Sequence, residues 1–313
     1  MLPLILRVGL VRRVAFTMVA GFLAAAVAVV SAVPAGAVDP LFLGWTGLLP
    51  PLPTAYAPAD AAECAAGEPT CVDATIARMQ GRYDGLVASC DHNAVFALTY
   101  LRTTEEYRRV AAEPGFFDDV SYVNTEDAVF AAYYFQAYDA WQAGPGTAVP
   151  RAWAIAFDAA QQRRLAGAGD LLLGMNAHVN RDLPLVLASL GLVTADGRSR
   201  KPDHDQVNVM LNRVVGPLLH EAANRLDPSI DNIATPLGLS YTALMQILVV
   251  WREAAWRNAE RLVNAPTAEA RGRIVNEIEA AAATTAATLR TLYTRPGLLP
   301  LGQDRDAYCA SHG

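Results

Sequence analysis

DVSYVNTEDAVFAAYYFQAYDAWQ, residues 119–142, decides the fold class. Asp119 stands where a helix N-cap is expected, and no glycine or proline interrupts the chain before Gln142. Val123, Asp127, Phe130 and Tyr134 recur at three- and four-residue steps, the spacing of one helical stripe, with Tyr133 and Phe135 flanking it. Such aromatic density predicts core packing or the wall of a cleft. Asp127 lies on that stripe, an unfavourable place for an unpaired carboxylate.

The same 3.6-residue period extends outward in both directions. It predicts helices over 72–88, 91–112, 119–142, 150–166, 170–192, 203–227, 238–263 and 266–293. Breaks fall at Glu113-Pro114-Gly115, Gly144-Pro145-Gly146, Ala195-Asp196-Gly197 and Asn264-Ala265-Pro266. Asp91 and Asp170 read as further N-caps, and Gly144 as a left-handed residue at a helix end. The run LSYTALMQILVVWREAAW, 239–256, suits a central helix, with Arg252 and Glu253 expected where it reaches the surface. Helix 266–293, mostly alanine, threonine, glutamate and arginine, is expected to pack on one face only. No segment alternates with period two, so a sheet is not expected. The expectation is an all-α protein: a single multi-helix bundle of about eight helices over 71–313, preceded by an extended proline-rich arm over 38–70.

The first 37 residues read as an export signal. Arg7, Arg12 and Arg13 precede the apolar run VAFTMVAGFLAAAVAVVSAV, and Ala35 and Ala37 supply the small residues of a cleavage site. A retained anchor is the competing reading, since Val14 to Val33 is long enough to cross a bilayer. Cleavage leaves 22 basic against 31 acidic side chains, a net charge near −9, with Lys201 the only lysine. No concentrated basic surface is visible, so nucleic acid is not an expected partner. The exported protein is taken as a monomer, secreted or held at the cell envelope, with no membrane span in its mature chain. Its four cysteines, Cys64, Cys71, Cys90 and Cys309, imply two disulfides with three possible pairings. Cys64–Cys71 would be a local staple, and Cys90–Cys309 would tie the start of the helical body to its end.

Polar groups concentrate in LLLGMNAHVNRDLPLVLASLGL, residues 171–192. His178 and Asp182 are four apart and therefore neighbours on one face; Leu171, Met175 and Val186 share that face, which points the pair inward. Asn176 and Asn180 form a second such pair. Gly174 allows a close approach, and Pro184 removes the hydrogen bond to the Asn180 carbonyl. His178 and Asp182 can act as a base with its orienting carboxylate, joined by Asn176 and Asn180 as candidate catalytic residues, or they can coordinate an ion. The fullest ligand set available is Asp127, His178, Asp182 and Asp203. The bland alternative is a mutually satisfied polar core. Asp203 can equally cap the helix it starts, and His204, Asn208 and Asn212 share a face by i,i+4 spacing. His92 is expected to be half exposed, and His220 to be a weaker ligand candidate. Trp141, Trp153, Trp251 and Trp256 are candidates for lining a hydrophobic cleft. No GxSxG elbow is present, and GAGD at 167–170 is too short for a nucleotide fingerprint.

The segments CDHNAVFALTYLRTT, DAVFAAYYFQAYDAW, VPRAWAIAFDAA, LLGMNAHVNRDLPLVL, DHDQVNVML and WREAAWRNAERL together resemble the actinobacterial family DUF5995, a domain of unknown function, over about residues 72–300. The resemblance places characteristic positions on Asn176, His178, Asn180, Asp182, Asp203 and Asn208; His204 stands where an aromatic residue is expected. The helical build and inward His/Asp helix are also loosely similar to zinc-dependent phospholipases C and single-strand nucleases. With so few histidines, that likeness implies one or two divalent ions such as zinc, held mainly by carboxylates. Three functions follow as expectations: a metal-assisted hydrolase built on the His178/Asp182 helix, a non-catalytic binder of an apolar or lipid-like small molecule in an aromatic-lined cleft, or a structural cell-envelope protein.

Overall fold

The computed structural model describes residues 41–60, 63–230, 241–295 and 305–312. The proposed export signal, 1–37, lies outside them. Described residues form helices α1 (Pro69–Val87), α2 (Ala94–Val110), α3 (Val120–Gln142), α4 (Arg151–Gln161), α5 (Gly167–Met175), α6 (Leu183–Leu190), α7 (Lys201–Arg225), α8 (Tyr241–Val263), α9 (Ala268–Tyr293) and α10 (Arg305–His312). Between α5 and α6 the chain makes a π-helical segment, Asn176–Asp182. No strand occurs among the described residues beyond two isolated bridges, so the chain is all-α.

Most predicted boundaries hold for the reasons that predicted them. The Asp119 carboxylate accepts from the Tyr122 amide and caps α3. Gly144 takes the left-handed conformation just past its end. The other two expected caps do different work. Asn93 occupies the N-cap of α2, while Asp91 accepts from the Asn93 amide. Asp170 sits inside the first turn of α5 and pairs with a histidine.

The predicted helix 170–192 is two helices and the π-turn. Pro184 has no amide hydrogen to give, and the ladder shifts register just before it. Gly191, left-handed, ends α6, and a β-carbon there would come within 2.7 Å of the Ala57 carbonyl oxygen. This broken rod is the centre of the molecule: α5, the π-turn and α6 touch α2, α3, α4, α8 and α9 between them. Its leucines and valines are buried all round, as a central helix requires, with Leu173, Leu183, Val186 and Leu187 fully enclosed. Each such side chain contributes about 1.5–3 kcal/mol by leaving water. Gly174 lets a side chain rather than a backbone close in: the Phe96 ring would lie 2.3 Å from a β-carbon at that position. α9 packs on one face, burying Ile278, Ala282, Ala283 and Ala286.

The arm runs along α8. Its backbone is held by side chains: the Leu52 amide donates to Glu260, Arg257 donates to the Pro50 carbonyl and Lys201 to the Thr46 carbonyl. Leu41, Leu43, Leu48, Leu49, Leu52 and Tyr56 on this arm are exposed. Disulfides join Cys64 to Cys71 and Cys90 to Cys309, the pairing that gives one local staple and one long tie. They are compatible with an extracellular location. Among the described residues no helix is long and apolar enough to cross a membrane.

Two burial expectations are overturned. Arg252 and Glu253 are only 4% and 6% exposed, not surface markers. Arg252 donates to the Asn208 side chain and the His204 carbonyl, and Glu253 pairs with Lys201 and Arg257. His92 is also buried, with Asp170 on one ring nitrogen and Asp306 on the other. In each case a partner distant in sequence removes the penalty of burial.

Candidate functional site

His178 projects from the π-turn into a cage of rings. It stacks on Phe130 with centroids 3.4 Å apart and planes 5° from parallel, and meets Tyr100 edge-on at 4.5 Å. Nδ1 lies 3.2 Å from the Asp182 carboxylate. Asp182 is fully enclosed, and two further donors converge on it: the Trp153 indole N–H at 2.8 Å and the Arg181 guanidinium at 2.8 Å. Arg181 also donates to Glu279 on α9. Trp153 and Arg181 can only donate, so the carboxylate acts as the acceptor and the third donor is His178 Nδ1–H. Burial pushes the His178 pKa down against the opposing pull of Asp182, which leaves a neutral ring. Its Nε2 is buried and has no partner.

Nε2 belongs to the wall of a cavity of about 150 Å³ between α2, α3, the central rod, α7 and α8. From Phe96 to Tyr107 the α2 wall alone runs about 16 Å along the helix axis. Most of the lining is aliphatic or aromatic, including Met175, Met210, Leu211, Leu218 and Leu248. Against that apolar background four buried polar atoms of the lining have no partner: Tyr100 Oη, Thr104 Oγ1, Asp127 Oδ2 and His178 Nε2. Buried polar atoms are nearly always paired, so four orphans among the residues around one cavity mark a place where something else is meant to pair with them.

The carboxyls at this wall are strongly perturbed. Asp127 is pushed up to about 8, first by burial and then by the neighbouring charge of Glu126. Glu126 is pushed up to about 7 by burial, partly offset by Arg252. Asp127 is half-buried and lines the cavity. Tyr100 is raised by burial and then by Asp127.

The residues singled out in the sequence separate into two groups. His178 and Asp127 face the cavity. Asp182 lies behind His178, both oxygens engaged. Asn176 donates to the Ala282 carbonyl at 2.9 Å and accepts from Asn180 at 3.0 Å, so this pair pins the π-turn to α9 rather than lining the cavity. Asp203 gives both oxygens to the Asp118 and Asp119 amides, at 2.7 and 2.9 Å. The four-residue ligand set is therefore not assembled at one point, and among the described residues no three His, Cys, Asp or Glu side chains are grouped to hold a metal. His204 is locked between two groups of Arg252. None of the tryptophans lines the cavity; its aromatic residues are Phe96, Tyr100, Tyr107 and Phe130.

Tyr100, Thr104, Glu126 and Arg252 were not anticipated there. A signal for the first two exists: Phe96, Thr99, Tyr100, Thr103, Thr104 and Tyr107 repeat at three- and four-residue steps along one face of α2. A family model described as a family of unknown function, DUF5995, matches residues 72–292. No curated protein and no solved structure matches the chain.

Proposed function

The chain belongs to the DUF5995 family, whose description assigns no activity, and from the cavity we propose that it is a secreted carrier or receptor for a small apolar molecule bearing a polar end. The observation that carries this reading is the set of four unpaired polar atoms on residues that line a largely apolar cavity. Apolar walls supply affinity by keeping the ligand from water, and a few fixed polar groups set its orientation. Metal-assisted hydrolysis has less support, because Asp182 and Asp203 already spend both oxygens on protein donors. The exposed leucines of the arm support association with the cell envelope.

The test is binding of the neutral alcohol 1-octanol, measured by isothermal titration calorimetry, to the disulfide-bonded mature protein, compared with Leu211→Trp, which fills the cavity from α7. The reading expects saturable binding by the native protein, weakened about tenfold or more in the variant while its circular dichroism stays native. Absence of binding to the native protein, or equal binding by a folded variant, would overturn it.

One observation favours a second reading. A neutral imidazole with Nδ1–H fixed by a buried carboxylate is the arrangement of a general base and its orienting group. Under that reading His178 removes a proton from a bound ligand, and Asp182 holds the ring. Turnover of a bound ligand that is lost in His178→Ala and retained in Asn180→Ala would support it; conversion unaffected by His178→Ala would end it.

A further inference from the structure

The hydrogen-bonding state of the cavity wall restricts what the ligand's polar end can be. Asp182 receives hydrogens from Trp153 and Arg181, neither of which can accept, and so must accept from His178 as well. The proton of the neutral ring is thereby fixed on Nδ1. Nε2, the other ring nitrogen of this cavity-lining residue, is left with a lone pair, no partner and no hydrogen to give. Asp127 is one helical turn before Phe130, the ring on which His178 stacks, and its unpaired Oδ2 belongs to the same wall. The remaining orphans, the hydroxyls of Tyr100 and Thr104, can donate or accept.

Resting on the reading of this cavity as a ligand site, we infer that the ligand carries a hydrogen-bond donor, a hydroxyl or an amine, on an apolar body, and that carboxylates are discriminated against. Only a donor satisfies His178 Nε2. A carboxylate brings lone pairs against a lone pair. Arg252 does not rescue it: two of its nitrogens are engaged by Asn208 and His204, and Glu126 stands against its charge. A free space of about 150 Å³ suits an apolar body of about eight carbons, since a cavity of that size in a protein core takes up a benzene molecule.

Calorimetric titration at pH 7 with 1-octanol, octylamine and octanoate tests the inference with tails held equal. Octanol, octylamine or both should bind about tenfold or more tightly than octanoate, the effect of one satisfied against one violated hydrogen bond. Preference for octylamine over octanol would assign the partner as a cation near Asp127, and the reverse order would assign a neutral hydroxyl. Octanoate binding as well as either would overturn the inference while leaving the cavity reading intact. Failure of all three to bind would remove both. A second measurement needs no variant: imidazole nitrogen chemical shifts of the free protein should report His178 protonated on Nδ1 and bare on Nε2, and the opposite tautomer would also overturn it.

Discussion

Replacing Asp127 by asparagine should stabilise the protein, and the gain should grow between pH 5 and pH 7. In the unfolded chain this carboxyl releases its proton near its ordinary value of 3.8, whereas the folded protein keeps it to about 8. Between those values the native state binds one proton more than the unfolded state, so native stability falls by about 1.4 kcal/mol for each pH unit. Over two units the full effect is about 2.7 kcal/mol. The partial exposure of Asp127 lowers it, because solvent screens the charge. Asparagine has no such proton and nearly the same shape. The variant should already be the more stable by about 1–2 kcal/mol at pH 5, more than one unit above the ordinary carboxyl value, and the gap should widen by about 1–3 kcal/mol by pH 7. Burial drives the opposite trend at His178, whose lowered pKa makes stability fall as pH drops below 6.5, but that contribution is common to both proteins and cancels in their difference. Urea denaturation at pH 5, 6 and 7 at fixed ionic strength measures the difference directly. A stability gap that stays constant across this range would refute the reasoning, because it would mean that Asp127 ionises in the folded state much as it does in the unfolded chain.

Asp182→Ala should destabilise by about 3–5 kcal/mol, since it strands the Trp153 N–H, the His178 Nδ1–H and the buried part of the Arg181 charge; a loss under about 1 kcal/mol in urea denaturation would deny the carboxylate its organising role. Replacing Cys90 and Cys309 together by serine opens a tie with a sequence separation of 219. Loop entropy puts its worth at about 5 kcal/mol as an upper figure. The expected outcome is a loss of at least about 2 kcal/mol, with early proteolytic cleavage ahead of α10, and an unchanged melting temperature would contradict it.

The helices were legible because their signals are local. Proline, glycine and capping aspartate sit next to the boundaries they set, and the period of the apolar residues reports one face at a time. The π-turn was half legible. Pro184 announces that the Asn180 carbonyl loses its partner, but the change of register is completed by contacts from elsewhere, above all the Asn176 bond to the Ala282 carbonyl of α9. Buried charge was not legible. Arg252 next to Glu253 in a run ending in polar residues has the local look of a helix emerging into solvent. What keeps it inside is Asn208, His204 and Lys201, some forty to fifty residues earlier. The cavity is harder still, since it exists where five helices fail to meet, and no single helix records that failure. The stripe from Phe96 to Tyr107 comes nearest, because threonines on an aromatic face are poor core fillers.

The six positions that the resemblance made prominent make sense once their partners are known. Asn176 and Asn180 hold the π-turn to α9, Asp203 closes the turn ahead of α3, and Asn208 binds Arg252. Asp182 fixes the histidine proton. Of the six, only His178 lines the cavity, and its leftover atom is an acceptor. Asp182, with Asn176 and Asn180 on the same π-turn, is therefore better understood as the frame that gives one imidazole its place and its tautomer, while Asp203 and Asn208 hold other parts of the bundle. This ordering also explains why the polar groups lie in the most buried segment of the chain. A lone pair held ready in an apolar cavity survives only if the ring carrying it cannot turn. That needs a fixed acceptor at its other nitrogen, and a fixed acceptor needs several donors of its own. The π-turn brings Asp182 and His178 into one wide turn, where Trp153 from α4 and Arg181 can reach the carboxylate while the imidazole faces the cavity. Substitutions at the frame positions should then change ligand preference through the tautomer of His178 as much as through stability, and the two are separable by comparing octanol with octanoate in any frame variant that still folds.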